Sequence, residues 1–350
     1  MHRAVSAALF VLLAGCATAQ PTQIAAARAD VQRLVAERKP PGMSVAVVVD
    51  GKLVWSEGFG FADVEQSVPA TGATRYRLGS VSKLFTAAIA VRLASRGALE
   101  LDAPIQRYVA KFPEKQAPIT ARQLLGHTAG IRHYLDSDPI FGGKKYASLA
   151  DGLAIFAKDP LVFEPGSGYH YTSYGYNLLG VVLENAGART FEQLLAEEVK
   201  APLKLESVSL DDPAAIVPNR AAFYAQRADN SVVNAAPNDS SYKWPSGGIL
   251  ASADDVARFA SAHLADGYLA DPLRSAMFVP QKNNVGLGWR IDKADDGLRY
   301  YHHGGTITGG RAFVLVLPEQ RVAVAMLTNM LVRFDQAEAL AIARKFIASP

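Results

Sequence analysis

Ser80-Val81-Ser82-Lys83 places a hydroxyl and an amine three residues apart at the start of an Ala/Leu-rich run. On a helix such positions share one face, roughly 5–6 Å apart. A hydroxyl at a helix N-terminus meets the positive end of the dipole and free backbone N–H groups, which can hold a developing oxyanion. A Lys one turn on can take the hydroxyl proton if burial lowers its pKa. By itself Ser80 reads equally well as an N-cap. Tyr171-Thr172-Ser173 follows the loop Glu164-Pro165-Gly166 and stands before a second helical run. A Tyr there can carry a proton between nucleophile and leaving group, or can simply sit at a helix start capped by Thr172 or Ser173. His303-Gly304-Gly305 closes an expected strand. Glycines after a strand admit a substrate backbone as an added strand, or make a tight turn.

The elements that must position these residues are legible from periodicity. Pro21 to Lys39 reads as an amphipathic helix, stopped by Pro40-Pro41-Gly42. Met43–Val49 and Leu53–Phe61 are apolar, β-branched runs joined by Asp50-Gly51, a strong hairpin signal because a type I′ turn needs two positive φ angles. Val81–Arg96 has a helical period and ends at Gly97, a C′ residue. Helical stretches follow at Ala121–Leu125, Leu149–Ala157, Tyr174–Ala186 and Phe191–Glu198. Ser252 caps another helix with Asp255 at N3, and that capping pattern accounts for the Asp254-Asp255 pair. Gly288–Ile291, Arg299–His303, Arg311–Leu317 and Val322–Leu327 read as strands, Pro318-Glu319-Gln320 turning the last two. A helix from Gln336 to Ile347 closes the chain. Strands at both ends with helices between them imply an α+β (mixed α/β) fold, with a helical subdomain inserted in a sheet built from distant segments.

In order and context, S-x-x-K, the Tyr and H-G-G resemble the serine β-lactamase/penicillin-binding-protein superfamily, which pairs S-x-x-K with Y-x-N or S-D-N and with K-T-G. The nearer match is its class C-like branch of esterases, D-aminopeptidases and D-Ala-D-Ala carboxypeptidases. The supporting stretches are Pro41–Val48, Tyr76–Lys83, Leu124–Ile131, Tyr174–Gly180 and Ser246–Ile249, and Ile131-Arg132-His133-Tyr134 is similar to the mitochondrial β-lactamase-like branch. The resemblance runs from about residue 24 to the C-terminus. It implies a transpeptidase-like fold, an antiparallel sheet flanked by helices. It also implies Ser80 as acylated nucleophile, Lys83 as its activator, Tyr171 as proton relay, and the backbone N–H groups of Ser80 and Thr306 as oxyanion hole. Ser173, His303, Gly304 and Gly305 would contact substrate. No metal or organic cofactor is implied, and His127 of H-T-x-G is taken as structural. The expected activity is hydrolysis of a small ester, amide or D-amino-acid-containing peptide. A true class C-like β-lactamase is the alternative enzyme, and a non-catalytic penicillin-binding or assembly protein the alternative of another class. Ser173 stands where the family usually has Asn, and His303 where β-lactamases keep Lys. A neutral His weakens the attraction for a substrate carboxylate, and Arg311 is the candidate for restoring it. The loops Asp136–Tyr146 and Ala225–Tyr242 are expected to line the pocket.

Composition narrows the classes. With 36 Lys+Arg against 33 Asp+Glu the net charge is +3, too small and too scattered for a nucleic-acid footprint. A hydrophobic content of 49% excludes disorder. The single Cys rules out an intramolecular disulfide and a Cys-rich zinc site. That Cys, Cys16, follows Leu13-Ala14-Gly15 behind a basic start (Met1-His2-Arg3) and the apolar run Ala4–Ala14. The run suits a signal-peptide core and is too short to span a membrane. Leu13–Cys16 resembles a bacterial lipobox, so residues 1–15 are expected to be a signal peptide, Cys16 a lipid attachment site on the bacterial membrane, 16–23 a tether and 24–350 the hydrolase domain. Ala17-Thr18-Ala19 offers the competing soluble-secretion cleavage site. Either way the chain is expected outside the cytoplasm, periplasmic and anchored to the outer membrane in the first case. No obligate protein partner is implied.

Overall fold

Asp50 and Gly51 adopt φ of 48° and 75°, so the type I′ turn expected from the D-G dipeptide forms. The computed structural model describes residues 21–139 and 143–347. Its strands, in chain order, are β1 (Gly42–Val49), β2 (Lys52–Asp63), β3 (Val68–Pro69), β4 (Arg75–Arg77), β5 (Ser209–Leu210), β6 (Tyr224–Gln226), β7 (Val232–Asn234), β8 (Ile249–Ser252), β9 (Arg290–Lys293), β10 (Arg299–Ile307), β11 (Gly310–Leu317) and β12 (Val322–Thr328). Seven form one antiparallel sheet in the order β3-β2-β1-β12-β11-β10-β9. The first and last thirds of the chain meet at its centre, Ala46 lying opposite Ala325. A smaller sheet has the order β4-β8-β5, and β6 and β7 make a separate hairpin.

β1 is apolar on both faces because both faces are covered. Val45 and Val47 pack with Val324 and Leu315 in an outer core, closed by Val31 and Leu34 of the helix Pro21–Arg38 and by Leu340 and Ile342 of the helix Gln336–Arg344. Ala46 and Val48 pack on the other side, toward the helices Ser82–Ser95, Ser173–Gly187 and Ala253–Ala262. Phe85 and Phe259 stack there with ring centroids 3.9 Å apart. The Ser82–Ser95 helix is buried on nearly every side, which explains an Ala/Leu-rich sequence with little amphipathic contrast. Asp255 does sit at N3, its N–H donating to the Ser252 hydroxyl at 3.2 Å.

Several boundaries differ from the sequence reading. The helix beginning at Leu149 ends at Gly152 and tightens into a 3₁₀ turn, and the one beginning at Phe191 gives way after Leu195 to a π turn. β9 starts two residues later than periodicity suggests, because Gly288 takes φ of 90° and holds the preceding segment out of the ladder. β10 does not stop at His303. Its pairing with β11 continues to Ile307 opposite Gly310, so Gly304 and Gly305 lie inside a strand rather than in a turn.

Candidate active site

Ser80 sits in a single 3₁₀ turn, Gly79–Val81, ahead of the Ser82–Ser95 helix, and neither element is closed by a side-chain cap. The capping alternative for Ser80 is therefore not realised. The turn is wedged against β10 by two glycines. A Cβ on Gly305 would lie 1.9 Å from the Leu78 carbonyl oxygen and 3.0 Å from the Ser80 nitrogen. One on Gly79, whose φ is 51°, would lie 2.8 Å from the Thr306 nitrogen. The second glycine of H-G-G thus admits the Ser80 turn itself. The same approach sets the Ser80 and Thr306 backbone amides on adjoining segments beside the Ser80 hydroxyl.

Lys83, one helical turn on, is fully buried, and its Nζ lies 3.1 Å from Ser80 Oγ, 3.1 Å from Ser173 Oγ and 2.8 Å from the Ser246 carbonyl. The shorter Ser173 hydroxyl still reaches the amine. Burial drives the Lys83 pKa well below its ordinary value, and the positive charge of nearby Lys243 adds to the shift. Tyr171 moves the other way. Burial raises its phenol, a hydrogen bond with the Ser80 side chain opposing, and its ring lies 5.0 Å from Lys83 Nζ. The amine is therefore the group that gives up its proton first.

The segment carrying Tyr171 is held from both sides by imidazoles. His127, in the left-handed region at φ 57°, accepts the Thr172 N–H on Nδ1 at 3.1 Å, and its ring lies 4.4 Å from that of Tyr171. His133 Nδ1 accepts the Ser173 N–H at 3.3 Å. Thr172 caps the Ser173–Gly187 helix through the Gly175 N–H. Burial, reinforced by Lys83, lowers His127 well below its ordinary value and brings His133 down to about 4, so both accept as neutral rings.

His303 is buried as well, its Nδ1 bonded to the Gly304 carbonyl at 2.7 Å, and burial holds it well below the usual imidazole range. Arg311 lines the same cleft, and its hydrogen bonds go to neutral acceptors. Its guanidinium donates to the Phe334 carbonyl at 2.7 Å and to Thr306 Oγ1 at 2.8 Å. His302 Nε2 lies 2.7 Å from Asp292 Oδ2.

Ser80, Tyr171, Ser173, His303, Gly304 and Thr306 all line one open cleft of about 1070 Å³. Of the two loops expected to line it, 225–242 does, through Ala225 and Gln226. No described residue of 136–146 does. Sequence reasoning missed two cations in its walls, Lys243 and Arg290. Lys243 lies in no periodic stretch and Arg290 in an expected strand, and only the approach of Gly247 to Gly79 and the pairing of β9 with β10 carry them there. The expected signal peptide and Cys16 lie outside the described residues, among which no helix is long and apolar enough to cross a membrane.

A hydroxyl, a buried amine and a phenol converging below the edge of an antiparallel sheet define a serine β-lactamase-type protein, and the Beta-lactamase family model matches residues 27–348. The chain belongs to that family. It is similar to the serine beta-lactamase-like protein LACTB, mitochondrial, of Homo sapiens, at 26% identity over 87% of this chain and 74% of the relative. Among solved structures, the octameric penicillin-binding protein homologue from Pyrococcus abyssi superposes with a TM-score of 0.75 at 26% identity, covering 87% of this chain and 72% of that one. A D-stereospecific amidohydrolase from Streptomyces sp. shares the fold, with a TM-score of 0.78 at 24% identity over 91% and 98% of the two chains.

Proposed function

We propose that the protein is a serine hydrolase that forms an acyl-enzyme on Ser80 with a small ester, amide or D-amino-acid-containing peptide. The observation that carries this reading is the fully buried Lys83 amine 3.1 Å from the Ser80 hydroxyl. A neutral amine has two N–H donors and one lone pair. With three oxygens around Nζ, two can accept from it and one hydroxyl must donate to it. Both hydroxyls line the cleft, and Ser80 is the less buried of the two. In acylation its proton passes to Lys83, Oγ bonds to the substrate carbonyl carbon, and the negative oxygen is met by the Ser80 and Thr306 N–H groups. The proton returns through the Tyr171 hydroxyl to the leaving oxygen or nitrogen as that bond to carbon breaks. Water then attacks the acyl carbon by the reverse route. The raised Tyr171 pKa suits a relay that stays protonated at rest.

Ester and amide substrates are favoured over β-lactams because the buried His303 carries no fixed charge for the lactam carboxylate. The amide arm is also consistent with the activity in the Streptomyces neighbour's name. The test is a fluorophosphonate label mapped by peptide mass spectrometry, followed by p-nitrophenyl esters, D-amino-acid amides and nitrocefin on the same sample. Labelling of Ser80 with turnover of an ester or amide supports the reading. Absence of a label on Ser80 in folded protein refutes it and favours a binding or assembly role.

A further inference from the structure

We propose that Lys243 is an anion-recognition residue of this cleft, and that the substrate carries a carboxylate in addition to its scissile carbonyl. The inference rests on the serine-hydrolase reading for the identity of the reacting group, and goes beyond it in naming the substrate class. Lys243 is only 7% exposed, yet it lines the cleft together with Ser80, Tyr171 and Ser246. Among the described residues its ammonium has no hydrogen bond and no ion pair. Its nearest aromatic face, Tyr242, is 5.4 Å from Nζ. The charged groups that act on it are Arg77, Asp211, Asp239 and Lys83. Asp211 is already taken by Arg77 Nε at 2.8 Å, and Asp239 accepts the Ser241 N–H at 2.8 Å.

A buried cation without a partner is costly to keep unless something pairs with it. Burial and the Arg77 charge lower its pKa to about 8, which leaves it mostly protonated at neutral pH. The other two cations in the cleft are less suited. Arg311 is engaged by Phe334 and Thr306, and Arg290 is half-buried, with its guanidinium 5.8 Å from the Tyr171 ring centroid. Lys243 is held on the segment whose Ser246 carbonyl receives the Lys83 amine, so a carboxylate reaching it would also be fixed relative to Ser80.

The experiment compares p-nitrophenyl hydrogen glutarate with p-nitrophenyl valerate, near-isosteres that differ in the terminal charge. Both are measured on the wild type, Lys243→Met and Lys243→Arg. The wild type should prefer the glutarate ester. Lys243→Met should lose roughly 10- to 150-fold more kcat/KM on the glutarate than on the valerate ester, the range of one charge-assisted hydrogen bond. Lys243→Arg should restore most of the difference. Equal losses on both esters, or no preference in the wild type, would overturn the proposal. A second readout does not need turnover: calorimetric binding of glutarate to Ser80→Ala, and its loss in Ser80→Ala/Lys243→Met. If glutarate binds through Lys243 while Ser80 takes no fluorophosphonate in the wild type, the anion site stands and the hydrolase reading falls. If Ser80 is labelled and glutarate does not bind, the reverse holds.

Discussion

In the proposed mechanism Ser80 and Lys83 act as one unit, because the hydroxyl is a poor nucleophile until the amine takes its proton. Ser80→Ala and Lys83→Met should each abolish fluorophosphonate labelling and ester turnover, and the double variant should be little worse than either alone. Since Ser80 caps no helix, Ser80→Ala should change the unfolding free energy by less than ~0.5 kcal/mol in a urea titration. The pH dependence follows from Lys83. Burial lowers its pKa well below the ordinary lysine value, so activity should persist to lower pH than an ordinary lysine base would allow and fall once the amine gains a proton. The profile of kcat/KM against pH in wild type reads this acidic limb directly. At the neighbouring His303 the charge is missing rather than the base. His303→Lys should raise nitrocefin kcat/KM relative to p-nitrophenyl acetate by roughly 10-fold or more, the contribution of a charge-assisted contact. An unchanged ratio would show that this position does not govern carboxylate recognition.

The element that decides whether the site forms is the crossing of β10 over the Gly79–Val81 turn. Gly305→Ala would place a methyl 1.9 Å from a carbonyl oxygen, which only backbone movement can relieve. Gly304→Ala meets flexible Phe313 and Arg311 side-chain atoms at 3.3–3.4 Å. The first should lower stability by about 1–3 kcal/mol and slow labelling of Ser80, while the second should leave the melting temperature within a few degrees of wild type. Calorimetry on the pair makes the comparison. A different element shows a pH effect on folding. His263 ends the Ala253–Ala262 helix, fully buried among Phe259, Tyr268 and Trp289, with its Nδ1 bonded to the Phe259 carbonyl at 2.9 Å. Burial lowers its pKa from 6.5 to about 4. Below pH 6.5 the unfolded chain binds a proton that the folded one refuses, so stability declines as pH falls from 6.5 to about 4, by up to ~3 kcal/mol. His263→Leu should flatten that part of the stability–pH curve measured by denaturant titration.

For the molecule as a whole, the sheet separates a core that builds the site from a core that only supports it. Ile342 is 2% exposed and lies in the outer core, across the sheet from Ser80. Ile342→Ala should cost about 2–5 kcal/mol of stability, the range for emptying a buried branched side chain. The labelling rate of Ser80 in the folded fraction should not change. A parallel loss of labelling per folded molecule would mean that the two cores are mechanically coupled.

Local chemistry was written in the sequence wherever the signal spans only a few residues. The Asp50-Gly51 turn, the Ser252 cap, the spacing of Ser80 and Lys83, and the two-faced apolar strands each follow from backbone sterics or side-chain reach within one element. So does the family, since its motifs lie in short contiguous stretches. Contacts between distant segments carry no such mark. That Gly305 makes room for Leu78, that His127 and His133 hold Tyr171-Thr172-Ser173 in place, and that Arg311 is spent on Phe334 depend on elements brought together by the sheet. The same is true of protonation. Nothing in S-x-x-K says that the Lys83 pKa is lowered or that Lys243 lines the same cleft without a hydrogen bond or ion pair, because a pKa is set by burial and by neighbouring charge, and only the closed tertiary structure supplies both.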